Sequence, residues 1–254
     1  MSMDGEHSIP DAPRAVLKAA FLAYQFATED SAFSKSHKCV GTIPQVFLVK
    51  AVSTMRAIAI LCAAGLTCDA MVLARTVIES AIDLHYICDD PGVRVPQYMD
   101  FTAREWRKAY SNLQKFAGRS RIVEVFGEDK VERRDKKTKA LINEFKARNI
   151  GIWKDRAYGE KAKATGLSRV YDFGYEICTE IAHGSPIRLR DYTQVVDDGV
   201  VAAAHVQHKY VNLAVLIAGT AFLSMLCDVV QILKVSDRSG IDILQQTLKV
   251  LADK

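Results

Sequence analysis

The sequence predicts an all-α protein, a bundle of about seven or eight helices. Three observations favour this class. Apolar residues recur at helical spacing along most of the 254-residue chain, alternating strand patterns are nearly absent, and only 14 glycines and 6 prolines interrupt the pattern. A hydrophobic fraction of 49% with 25% charged residues is ordinary for a folded protein, which excludes a mostly disordered chain.

The individual helices follow in order from their start and stop signals. Capping residues and prolines mark several first turns, and glycines follow several last turns. We predict helices over residues 11–33, 42–64, 67–88, 96–116, 128–149, 168–183, 198–234 and 240–252. We expect a single helical domain over residues 1–254, with its core in 42–235 and a basic exposed helix and connection in 119–166.

The net charge of +4 is unevenly distributed along the chain. Residues 119–169 contain 15 Lys and Arg against 8 Asp and Glu. A basic block of this kind attracts phosphate groups, although a solvated helical face has the same composition. The block is therefore compatible with RNA binding and does not require it.

Cysteine use and hydropathy predict a cytoplasmic protein without a membrane span. The six cysteines are scattered and form no Cys-x-x-Cys motif, as expected for reduced core residues. The first residues are polar and lack a signal-peptide apolar region. The apolar stretch from Leu213 to Cys227 is flanked by Asn212 and Asp228. It is shorter than the roughly 20 residues that a bilayer requires, so we predict a buried core helix.

Six polar side chains of the predicted helix 168–183 fall on one face at about 100° per residue. They are Arg169, Asp172, Glu176, Thr179, Glu180 and His183. A solvated helix face is the simpler interpretation. Because histidine is the side chain best suited to proton transfer at neutral pH, His183 is the candidate for chemistry.

A second polar stripe lies in the apolar segment 66–84. Arg75 and Glu79 are four residues apart and lie on one face of a predicted helix. Buried charges are tolerated when they are paired, so we predict a buried ion pair. Two roles remain open: a structural pair, or one half of a polar cluster completed by the His183 face.

These segments also carry a resemblance to a known family. The run from Leu73 to Glu79 and the turn Thr179-Glu-Ile-Ala-His183-Gly-Ser185 are similar to the signature of a bacterial domain-of-unknown-function family, number 5677. The resemblance implies a helical layout like that of the HEPN superfamily, whose active members are metal-independent ribonucleases of toxin and phage-defence systems, usually homodimeric. Their motif places an arginine four to six residues before the histidine. Here Arg169, fourteen residues upstream, is the nearest one.

Three functions remain open from the sequence. The first is a HEPN-like ribonuclease of bacterial defence or toxin type, a homodimer in which Arg75, Arg188 or Arg190 neutralises phosphate charge. Its candidate catalytic residues are His183, Arg75, Glu79, Glu180 and Thr179. The second is a non-catalytic helical module that binds RNA or a co-encoded protein.

The third function is a carboxylate-bridged metal protein. Glu180-x-x-His183 is one half of a ferritin-like pattern, but the sequence contains no second Glu-x-x-His. No phosphate-binding glycine loop or dinucleotide fingerprint is present in the sequence either. We therefore expect neither a metal nor a cofactor.

Overall fold

The computed structural model describes residues 9–29, 39–148, 157–185, 192–197, 199–202, 209–235 and 237–253. The chain divides into two units. The first is formed by Met1–Asp89 with Tyr158–Lys254, and the second by Asp90–Ala157. The described residues are mostly helical, which confirms the all-α class.

The first unit contains seven helices and one hairpin among its described residues. Six helices are α1 (Asp11–Glu29), α2 (Cys39–Ala63), α3 (Thr67–Asp89), α7 (Tyr158–Ala164), α9 (Val211–Leu233) and α10 (Ser239–Ala252). The seventh, α8, runs unbroken as α-helical Ser168–Val170, π-helical Tyr171–Tyr175 and α-helical Glu176–Ala182. Strands β1 (Thr193–Val196) and β2 (Gly199–Ala202) pair antiparallel, with Thr193 opposite Ala202.

Helix α9 lies at the centre of this unit and packs against α1, α2, α3 and α10. Its side chains Phe222, Met225 and Leu226 are fully buried. The core extends beyond the predicted range 42–235, because Val16 of α1 and Leu244 of α10 are also fully buried. The apolar periodicity predicted both α1 and α10, but it did not indicate which neighbouring helix would cover the apolar face of each.

The second unit contains α4 (Pro91–Ala117), α5 (Arg119–Phe126) and α6 (Glu128–Arg148). The Asp90 side chain caps α4 by accepting a hydrogen bond from the Val93 backbone amide. Arg119 of α5 forms an ion pair with Asp135 of α6 at 2.6 Å. Most described side chains of α6 are exposed, as their charge requires.

The helix count and several boundaries differ from the prediction. The described part of the chain contains ten helices rather than seven or eight. Gly118 and Gly127 adopt positive φ angles of 75° and 82° and follow the last residues of α4 and α5. Gly127 thereby separates α5 from α6 within the basic region. The segment between the predicted helices 128–149 and 168–183 contains helix α7. The predicted helix start near residue 198 is wrong, because strands β1 and β2 occupy residues 193–196 and 199–202.

Two helices of the described residues are long and apolar enough to cross a membrane by length and composition alone. They are residues Thr42–Ala63 of α2 and the whole of α9. Core helices of globular proteins pass the same test, and 67% of the most apolar window of α9 is buried against 39% for α2. Helix α9 extends beyond the apolar stretch Leu213–Cys227 at both ends and includes Asn212 and Asp228.

Candidate functional site

Helices α3 and α8 pack side by side and form the floor of the site. Gly174 of α8 permits the close approach, because a Cβ atom there would lie 3.1 Å from methyl groups of Ile78 and Ile217. Cys178 and Ile181 bury the rest of this face. Burial raises the pKa of the Cys178 thiol to about 12, so it is protonated and unsuited to nucleophilic attack.

Arg75 of α3 is the centre of a polar cluster across this contact. Its Nε donates a hydrogen bond to Glu79 Oε1 at 3.0 Å, and its Nη2 donates to the Tyr175 hydroxyl at 2.9 Å. Its Nη1 lies 3.4 Å from His183 Nε2. A guanidinium can only donate, so His183 Nε2 is the acceptor in this contact. The structure thus brings Arg75, Glu79 and His183 together.

An open groove of about 500 Å³ runs along α8 beside this cluster. Its lining residues form two rows: Tyr171, Tyr175, Thr179 and His183 in one, and Asp172, Glu176 and Glu180 in the other. The Tyr171 and Tyr175 rings stack with centroids 4.7 Å apart. Two tyrosines, three carboxylates, Thr179 and His183 therefore line the groove, and Arg75 contacts this lining through Tyr175 and His183.

The π-helical segment explains why Arg169 lies apart from the groove. A π-helix has more residues per turn than an α-helix, so positions before residue 176 rotate away from the arc predicted at 100° per residue. Arg169 lines a separate cavity of about 240 Å³ together with Phe173 and Leu216. The same rotation brings Tyr171 and Tyr175 into the groove.

The Arg75–Glu79 pair is less buried than predicted. The two side chains retain 23% and 27% of their accessible surface. Burial raises the pKa of the Tyr175 hydroxyl, as does the Glu79 charge, and the bond from Arg75 opposes both effects. Tyr175 therefore stays protonated at neutral pH. The predicted interior ion pair is instead a pair that is about one quarter exposed, at the edge of a groove.

A second polar cluster lies one turn further along α3. Lys161 Nζ of α7 donates to Asp83 Oδ1 at 2.8 Å, and the Tyr158 hydroxyl donates to Asp83 Oδ2 at 3.4 Å. The side chains of Lys161 and Asp83 keep only 4% and 13% of their surface. Burial raises the pKa of Asp83, and the Lys161 charge opposes this. The sequence contained Asp83 without indicating its partner, which lies 78 residues away.

A third pair joins the end of α3 to α9. His85 Nδ1 lies 2.8 Å from Asp228 Oδ1 and 2.9 Å from Oδ2. Asp228 is buried, and its hydrogen bond raises the pKa of His85. The pair borders a cavity of about 180 Å³ that also contacts Cys88 and Gln231. No short-range pattern could have identified it, because 143 residues separate its members.

The remaining candidate residues are placed as follows. Thr179 and Glu180 line the groove, and the Thr179 hydroxyl oxygen is buried without a hydrogen-bond partner among the described residues. Arg188 and Arg190 lie outside the described residues. Within the described part, no group of three His, Cys, Asp or Glu side chains is arranged to hold a metal ion.

The fold and groove define an all-α protein with a paired arginine and histidine at an open polar cleft. Residues 42–200 match the family described as "Family of unknown function (DUF5677)". The chain belongs to this family, and the matched region contains Arg75, Glu79 and His183. No curated protein and no solved structure matches the chain.

Proposed function

We propose that this protein is a HEPN-like, metal-independent ribonuclease of bacterial defence or toxin type that acts through His183. The contact of 3.4 Å between Arg75 Nη1 and His183 Nε2 carries the proposal. HEPN-type sites require an arginine beside the histidine, and the sequence offers none at the usual spacing. Here α3 supplies the arginine through the packing of α3 against α8.

The chemistry would be transfer of the phosphoryl group within the RNA strand. Arg75 Nη1 turns from His183 Nε2 to the phosphate, and the freed Nε2 accepts the proton of a ribose 2′-hydroxyl. The 2′-oxygen then bonds to phosphorus, and the 5′-oxygen leaves with a proton from a general acid to give a 2′,3′-cyclic phosphate. Arg75 neutralises the charge that develops on the phosphorane oxygens. Glu79 and Tyr175 hold the guanidinium in place.

The assembly and location form part of the same proposal. We infer a cytoplasmic homodimer, by the resemblance to HEPN ribonucleases, in which a second copy brings its own His183 to the cleft. One histidine then serves as base while the other donates the proton to the leaving oxygen. The basic block at residues 119–169 would guide the RNA backbone.

Cleavage of single-stranded RNA by purified protein in the presence of a chelator tests this function. We expect wild type to cleave and His183→Ala to lose about 100-fold or more of the rate. Lys249→Ala, which removes an exposed side chain of α10 outside both the groove and the basic block, serves as the control and should cleave normally. Equal cleavage by wild type and His183→Ala, or cleavage that appears only with added manganese or iron, would contradict the proposal.

A second candidate function is a non-catalytic module that binds a basic segment of a co-encoded protein. The observation that favours it is the carboxylate wall of Asp172, Glu176 and Glu180, which attracts cations. The expected signature is salt-sensitive binding of a Lys- and Arg-rich peptide that Glu176→Gln weakens, in a protein that cleaves no RNA. Peptide binding that is unaffected by Glu176→Gln would exclude the groove as its site.

A further inference from the structure

The two units of the chain carry net charges of opposite sign. The second unit, residues 90–157, contains 17 Lys and Arg against 10 Asp and Glu. The whole chain contains 34 against 30, so the first unit is slightly acidic. Positive charge that is concentrated in one compact unit attracts polyanions. The second unit is therefore the part of the chain suited to hold a nucleic-acid backbone.

Within this unit, the second half of α4 and most of α5 contain cations without acids. Residues 106–123 include no Asp or Glu and five basic residues, which are Arg107, Lys108, Lys115, Arg119 and Arg121. The two arginines of α5 form ion pairs with acids outside this stretch. The three cations of α4 are exposed and have no acidic partner among the described residues. They are available to an anionic ligand.

The same stretch of α4 exposes an aromatic ring. Phe116 keeps 92% of its accessible surface, and Leu113, one turn earlier on the same side of the helix, keeps 42%. Phenylalanine is usually buried, because contact of apolar surface with water is unfavourable. An exposed apolar pair surrounded by polar residues indicates a surface that a ligand covers.

The ring and two of the cations lie on neighbouring stripes of α4. Lys108 and Lys115 lie within about 20° of each other around the helix and about 10 Å apart along its axis. Phe116 follows about 100° further round. Tyr110, about 120° from Phe116 on its other side, faces α6, since Arg134 of α6 lies 5.7 Å from the centre of its ring. Helix α6 therefore covers a different side of α4 from the one that carries the lysines and the phenylalanine.

A single strand of nucleic acid matches a row of cations beside an exposed ring. Its phosphates pair with the ammonium groups, and its unstacked bases cover the aromatic ring. In a duplex the base faces are already covered by their neighbours, so only the phosphates remain available. Protein interfaces are depleted of lysine, and a second copy of the same surface would bring like charges together. The charge and the ring together therefore favour a single strand.

We propose that the α4 face, formed by Lys108, Leu113, Lys115 and Phe116, binds single-stranded nucleic acid. A base stacks on Phe116, and phosphates of the same strand contact Lys108 and Lys115. The α4 face belongs to the second unit, whereas the groove along α8 belongs to the first. The inference rests on the proposed ribonuclease function only in expecting RNA rather than DNA, and it adds the residues that hold the strand.

Fluorescence anisotropy with labelled oligonucleotides of about 12 bases tests the inference. The protein is the full chain with His183→Ala, which prevents the proposed cleavage. We expect it to bind oligouridylate and to lose at least about fivefold in affinity on Phe116→Leu, which removes the ring but keeps an apolar side chain. Phe116→Tyr keeps a ring and should bind like the parent protein. Met99→Leu, at an exposed position about 25 Å earlier on α4, is the matched control and should have no effect.

Substitution of the two lysines tests the phosphate contacts. Lys108→Ala and Lys115→Ala should each weaken binding and reduce the slope of log affinity against log salt by roughly 0.7, the value for one phosphate of a single strand. Lys249→Ala, at an exposed position of α10, should leave this slope unchanged. An unchanged slope in both α4 variants would overturn the site.

The remaining outcomes separate the α4 face from the ribonuclease function. No saturable binding, equal affinity of Phe116→Leu and the parent protein, or duplex RNA that binds as tightly as the single strand would overturn the site. RNA cleavage by wild type together with any of these results would leave the ribonuclease function standing. Ring-dependent binding by a protein whose wild type cleaves no RNA would support the site and refute the ribonuclease.

Two further comparisons identify the occupant. Tighter binding of oligouridylate than of oligothymidylate would assign the strand as RNA and the reverse would assign it as DNA, and either result supports the site. A dimer that Phe116→Leu dissociates, or an acidic peptide that binds more tightly than both oligonucleotides, would show that the α4 face is a protein interface and would overturn the site.

Discussion

Two ion pairs on helix α3 differ in burial and therefore in what they can do. Asp83 and Lys161 are almost enclosed, with 13% and 4% of their side-chain surface accessible. Arg75 and Glu79, one to two turns earlier on the same helix, keep 23% and 27%. The first pair ties α7 to α3, whereas the second borders an open groove and shares Arg75 with His183.

Charge on an apolar helix therefore does not by itself identify a functional group. A buried charge is stable only while its partner is present, so the Asp83–Lys161 pair has a structural role. The Arg75 guanidinium, whose side chain keeps 23% of its surface, remains accessible to a ligand. The sequence pointed to Arg75 and Glu79 as the buried pair, and the structure assigns that burial to Asp83 instead.

The largest effect is expected from breaking the enclosed pair. Lys161→Ala leaves Asp83 buried without its cation and should lower the free energy of unfolding by about 3–5 kcal/mol. Urea denaturation measures this change. The double variant Asp83→Asn with Lys161→Met removes both charges and should cost less than the single change. A larger loss in the double variant would contradict this account of the pair.

A smaller, pH-dependent effect is expected at the third pair on α3. His85→Gln leaves Asp228 buried without its charged partner and should cost about 1–3 kcal/mol at pH 6. The pKa of His85 is raised in the folded state, so the stability from its protonated form is complete below about pH 6.5 and is lost as pH rises through the raised value.

Melting temperatures at pH 6 and pH 8.5 test the sign of this effect. The difference between wild type and His85→Gln should be larger at pH 6. Gln231→Ala borders the same cavity without a titrating group and serves as the control. A His85→Gln difference that grows towards pH 8.5 would show that the pair is stabilised by another cause.

The smallest effect on stability is expected at the more exposed pair, Arg75 and Glu79. Arg75→Ala should lower the free energy of unfolding by about 1 kcal/mol or less, since solvent screens the pair. The same variant should lose RNA cleavage, because no other described cation contacts His183 in this arrangement. Urea denaturation measures the change in stability, and the cleavage assay measures the loss of activity. A stability loss as large as that of Lys161→Ala would contradict this prediction, because it would show that the two pairs contribute equally to stability.

Much of the helical layout could be predicted because it depends on neighbouring residues. The helix predicted over 67–88 is observed as Thr67–Asp89, and the one predicted over 240–252 as Ser239–Ala252. Apolar spacing and helix-end signals are local, so a helix can be predicted from them without knowing which helices it packs against. The hairpin at residues 193–202 was missed because its four-residue strands are too short to show alternation.

At the site, the residue types and the helix faces that carry Arg75, Glu79 and His183 could be predicted from the sequence. The contact of Arg75 with His183, the addition of Tyr175 and the separation of Arg169 depend on tertiary packing, because Arg75 and His183 are 108 residues apart. Their contact depends on how α3 packs on α8 and on the π-helical turn that rotates the face of α8, and neither has a local signature.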